Sequence, residues 1–151
     1  MARPRAHVTA ISALLLAGCA SADPDPLPAA CLDEPAAITR ALARAPAPVT
    51  LADGTRLSRC VSLAGSDADL QALGVSLTRV ADGLRARAGA DHAAALRLGY
   101  LVGAVRRGAA ATPGIAAQLA RRVEQAAGPQ IDEPRARAQL RRGVRLGEAG
   151  G

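Results

Sequence analysis

Aromatic side chains are almost missing: 151 residues hold one Tyr, Tyr100, and no Phe or Trp. A chain built this way has no platform on which bases could stack, which argues against single-stranded nucleic acid as a partner. Lysine is absent as well, so all 19 basic residues are Arg, set against 13 acids. Two His and three Cys are too few for a His-rich metal site, and no CxxC spacing occurs. Half of the residues are hydrophobic, which excludes a disordered polar chain and leaves room for one packed domain.

What is present begins at the N-terminus. Arg3 and Arg5 precede a ten-residue apolar run at 8–17, VTAISALLLA. Ten residues reach about 15 Å as a helix, half of a bilayer core, so the run reads as the apolar region of a signal peptide and not as a membrane anchor. It ends in Leu16-Ala17-Gly18-Cys19. This quartet resembles the lipobox of bacterial lipoproteins. The resemblance covers residues 1–19 and implies cleavage before Cys19, lipidation of its thiol and acylation of the new N-terminus, giving a chain held to a membrane by its lipid. More than one acyl chain gives stable anchoring where a single one is reversible. Ala20, in place of Asp, follows Cys19; by resemblance to enterobacterial lipoproteins this favours the outer membrane over the outer face of the plasma membrane. The alternative is an ordinary secretory signal cleaved near Ala20 or Ala22, leaving Cys19 free.

Processing would leave 17 Arg against 13 acids, so the basic balance is modest. For an exported chain without aromatic or base-reading motifs, nucleic acid is a poor partner and an anionic envelope surface a better one. Export also bears on Cys31 and Cys60, which an oxidising compartment would pair. Two free thiols or a metal site are the alternatives, with His92 the only further soft ligand of the mature chain. No metal and no other cofactor is expected.

Residues 19–30, with three Pro and two Asp, read as the lipidated Cys and an extended tether. A single helical domain is expected over 31–147, followed by a Gly-rich disordered tail at 148–151. The expected fold is mainly all-α: four or five helices with a short N-terminal β-hairpin stapled by the disulfide. Asp33-Glu34-Pro35 opens a first helix with Asp33 as its cap, and Pro46 stops it. Val49-Thr50-Leu51 and Thr55-Arg56-Leu57 flank Asp53-Gly54, a hairpin signal. Ser66 and Asp69 resemble a capping box ahead of the stripe Leu70, Leu73, Leu77, Val80 and Leu84. Asp91 caps an Ala-rich helix from His92 to Arg107, apolar nearly all round and therefore central. Further helices follow Thr112-Pro113, with Ile115, Leu119 and Val123 on one face, and Asp132-Glu133-Pro134, with Ala136, Leu140 and Val144 on one face.

Candidate sites are sparse. Asp91-His92 places a carboxylate beside a His, but no nucleophile motif accompanies it and a helix cap explains Asp91, so no catalytic residue is assigned. Gly99 and Gly103 form a GxxxG pair that lets a neighbouring helix approach closely or supports a homodimer. Tyr100 is expected in the core with its hydroxyl satisfied. Arg135, Arg137, Arg141, Arg142 and Arg145 crowd one helix, either as a solvated face or as a surface for an anionic partner. That helix has a thin apolar stripe and is expected to be only marginally attached. The function expected is a non-enzymatic binding or scaffold module contacting an envelope protein or an anionic surface or polymer; an unrecognised hydrolase is the weakest reading. Intact mass of the membrane-extracted protein should begin at Cys19 and carry acyl mass, whereas a lipid-free N-terminus at Ser21 or Asp23 would overturn lipidation.

Overall fold

A computed structural model describes residues 26–112, 114–128 and 131–151, apart from the side chain of Ile115. The signal segment, Cys19, most of the tether, Pro113 and Pro129 lie outside the described residues. Six α-helices follow a short 3-10 turn at Ala29–Leu32: α1 (Pro35–Leu42), α2 (Leu57–Leu63), α3 (Asp67–Ala88), α4 (His92–Ala111), α5 (Ile115–Ala127) and α6 (Pro134–Gly150). The all-α expectation holds. The tether, however, ends earlier than expected, because Ala30 and Cys31 are already buried in the core.

The β-hairpin does not form. Its turn does: Leu51 N–H bonds the Thr55 carbonyl at 2.8 Å, Asp53 accepts from Thr55 N–H at 2.9 Å, and Gly54 takes φ +86°. The arms yield a single antiparallel bridge, Thr50 to Arg56. Directly after it Leu57, Ser58, Cys60 and Val61 are buried at helical spacing, so the second arm becomes α2, a helix the turn signal concealed. The first arm is held differently, its Val49 N–H donating to the Tyr100 hydroxyl at 3.0 Å. The Cys31–Cys60 disulfide is present and ties the 3-10 turn to α2, with 5.5 Å between the Cα atoms. By the chain-entropy treatment a closed loop of 29 residues contributes about 3.5 kcal/mol.

Caps follow the sequence in part. Ser66 accepts from Asp69 N–H at 3.0 Å and Asp91 from Ala93 N–H at 2.8 Å. Asp33 is not the cap of α1; Glu34 holds that position, with no side-chain bond to the helix, and Pro35 starts the first turn. The predicted stripe of α3 is buried along its length, while Arg79, Asp82 and Arg85 face solvent. Leu119 and Val123 bury the inner face of α5. Tyr100 is buried, as expected.

α4 is the hub, touching α1, α2, α3, α5 and α6. Its closest neighbour is α6, and the two run parallel. A Cβ on Gly99 would overlap the Leu140 carbonyl oxygen, and one on Gly103 the Val144 carbonyl. From the other side, Gly143 leaves no room before the Leu96 carbonyl, nor Gly147 before that of Tyr100. Two glycine pairs at i, i+4 therefore interlock, and the backbones meet without side chains between them. Packing this close places Cα–H groups against carbonyl oxygens, contacts that contribute about 0.5–1 kcal/mol each. The homodimer reading of Gly99 and Gly103 gives way here, because α6 of the same chain covers that face.

This packing corrects two further expectations. α6 is not loosely attached: Ala136, Gly143 and Gly147 are buried and Leu140 and Val144 half-buried, so docking runs along glycine backbone as well as the thin aliphatic stripe. Nor are residues 148–151 a disordered tail. The helix continues to Gly150, Arg107 donates to the Glu148 and Ala149 carbonyls at 2.7 Å each, and Ser58 donates to the buried Gly151.

Two glycine-to-alanine changes should separate packing from propensity. Gly143→Ala should lower stability by about 2–3 kcal/mol through overpacking. Gly83→Ala, where a Cβ meets nothing within 4 Å on the exposed face of α3, should raise it by about 0.5–1 kcal/mol. Urea denaturation midpoints of the two variants read the difference directly.

Candidate functional site

Two features of the α4–α5–α6 side could meet a partner. The first is a groove of about 500 Å³ where the three helices diverge. Val102 from α4, Ala127 from α5, and Leu140 and Val144 from α6 give it apolar walls, while Arg106, Arg121, Glu124 and Gln125 stand at its polar edge. The divergence follows from the sequence: the glycine seam draws α6 against one flank of α4, so its larger residues, Leu140 and Val144, are left facing α5 across open space. Arg106 closes one end, with Nε 2.6 Å from Glu124 of α5 and Nη1 3.6 Å from Glu148 of α6. These carboxylates raise the Arg106 pKa further above its already high ordinary value. The pair is half-exposed, so it fixes the relative position of three helices more than it stabilises them.

The second feature is the outward arc of α6. Arg135, Arg137, Arg141, Arg142 and Arg145 are all exposed. Arg137 is occupied, donating from Nε to the Ile131 carbonyl at 3.1 Å and from Nη2 to that of Asp132 at 3.0 Å. The other four guanidinium groups have no partner among the described residues.

The Asp91-His92 neighbourhood is arranged otherwise than its sequence suggests. Asp91 is bound to the first turn of α4, and its pKa is lowered mainly by the backbone N–H of Ala94. His92 Nε2 lies 3.2 Å from Glu133 at the start of α6. Glu133, which sequence reasoning placed only as a helix starter, caps α6 by accepting from the Arg135 and Ala136 N–H groups. Those N–H groups, and then His92, hold its carboxyl below the usual range. The two carboxylates thus sit at the paired N-termini of two parallel helices, where the aligned dipoles favour negative charge. Among the described residues no cluster of three or more His, Cys, Asp or Glu could hold a metal ion, and no helix is long and apolar enough to cross a membrane.

The chain matches no family model, no curated protein and no solved structure.

The cap at Glu133 has a signature in acid. Its folded pKa lies below the unfolded one, so its contribution is complete above the ordinary carboxylate range and is lost as pH falls through the folded value. Glu133→Gln keeps an acceptor but not the charge, and should flatten the acid limb of the stability profile; Asp53 and Asp91, whose pKa values are lowered by similar backbone bonds, should leave the remaining slope. Urea midpoints measured from pH 7 to pH 3 test this, and identical slopes for the two proteins would refute it.

Proposed function

We propose that this chain is an envelope lipoprotein, lipid-anchored at Cys19, whose helical domain is a non-enzymatic binding module for another envelope component. The observation that carries this reading is the contrast between engaged and open surfaces. The carboxylates and His that could have formed a reactive constellation are spent on structure: Asp91 and Glu133 as caps, His92 against Glu133. The open surface is an apolar groove with a charged edge beside an arginine-rich helix. Export is supported by the Leu16-Ala17-Gly18-Cys19 run and by the Cys31–Cys60 disulfide, a bond characteristic of oxidising compartments. Anchoring in this reading depends on the acyl chains alone.

A second reading is favoured by the four Arg of α6 that have no partner among the described residues: the domain binds an anionic envelope surface or polymer through Arg135, Arg141, Arg142 and Arg145, with Arg137 alongside. Single exposed ion pairs contribute little, so such binding would be collective and would weaken steeply with salt. A hydrolase remains the weakest reading, since the Asp91-His92 pair is turned toward helix ends.

Retention on isolated envelopes of protein prepared without residues 1–19, and hence without acyl chains, distinguishes the two. Replacing Arg141, Arg142 and Arg145 together with Gln touches only exposed positions and should leave the fold intact. Under the second reading the triple variant loses most retention at low ionic strength, and the unaltered protein loses it as salt rises. Retention that is insensitive to both leaves the Arg face as a solubilising surface and the groove as the binding element.

A further inference from the structure

We infer that the groove between α4, α5 and α6 takes a single-chain amphiphile with a carboxylate head, a fatty-acid anion. This deepens the binding-module reading and rests on it. The walls are hydrocarbon, from Val102, Ala127, Leu140 and Val144, and the polar groups stand at the edge. That division suits a ligand with an apolar body and one polar end. At about 500 Å³ the space falls within the range of about 300–1,000 Å³ typical of small-ligand sites. Nine residues line the groove, fewer than the roughly 20–30 per side of a stable protein interface, so it suits a chain molecule better than a second protein surface.

Charge selects the head group. Arg106 is committed to Glu124 and Glu148. Arg121 stands at the same edge, exposed and without a partner among the described residues. Arg121 is thus the guanidinium of the groove that no carboxylate among the described residues engages, and its planar fork matches a carboxylate through two parallel hydrogen bonds. A phosphate dianion would bring a second charge close to Glu124, which repels it.

The test uses the purified protein and the fluorescent fatty acid 11-(dansylamino)undecanoate, displaced by laurate or by uncharged dodecanol. Laurate should displace the probe from one saturable site. R121Q should weaken laurate at least tenfold and change dodecanol by less than twofold. V144Q should weaken both, and R142Q, an exposed change on α6 outside the groove, should change neither. Arg121 is exposed, so R121Q carries the test even where V144Q loosens the helix seam; circular dichroism reports the fold of each variant. Equal losses in R121Q and R142Q would show general charge attraction and overturn the proposal. Absence of saturable uptake would overturn it too, as would a dimer in sedimentation that V144Q abolishes without any laurate uptake, since the groove would then be a contact between copies. None of these results touches envelope retention, which tests the broader reading separately.

Discussion

The contact on which this structure depends is made by backbone. α4 and α6 lie parallel with Gly99 and Gly103 facing Leu140 and Val144, and Gly143 and Gly147 facing Leu96 and Tyr100. A domain with one aromatic residue has little side-chain volume to spend, and bringing helices into main-chain contact is how it reaches dense packing. The parallel arrangement aligns two helix dipoles, and the ends carry the compensation: Asp91 and Glu133 at the N-termini, the Arg107 guanidinium on the last carbonyls of α6. Everything else is organised around that pair. α5 is the crossover that makes parallel neighbours of α4 and α6, and the groove is the gap left beside it.

Much of this was legible from residue order. The stripe of α3, the caps Ser66 and Asp91, the buried character of α4 and the Cys31–Cys60 pairing all follow from local rules and parity. What was misread has a common cause, competition between two valid local signals. Asp53-Gly54 does make its turn, but the residues after it carry helical periodicity, and Cys60 gains its partner from a helix and not from a strand. The Gly-rich end of α6 reads as a disordered tail because glycine weakens an isolated helix. The glycine spacing there, 143, 147 and 151, repeats that of 99 and 103, and matching the two sets would have identified the docked pair. Periodicity in small residues carries as much packing information as periodicity in large ones.

The site was less legible than the fold. The five Arg of α6 are exposed as the sequence suggested, yet only the folded chain distinguishes Arg137, tied to the preceding loop, from its neighbours. The groove has no sequence signature at all, since its lining comes from three helices and combines ordinary aliphatic residues with surface Arg, Glu and Gln. Glu133 was equally hidden: its pairing with His92 spans 41 positions and exists because two helix starts are brought side by side.

The register of the glycine seam also bears on the order in which the chain can fold. α4 is the hub, yet the surface that completes it is supplied by the helix made last among the described elements. Until α6 has been synthesised, Gly99 and Gly103 present bare main chain on a strongly apolar helix, with no side chain to shield it. The α1–α5 portion can gather around α4 early through nearer contacts, but its most intimate interface waits for a distant segment. A polypeptide stopped near residue 128 would therefore leave that strip of main chain uncovered, and α6 is the element that closes it.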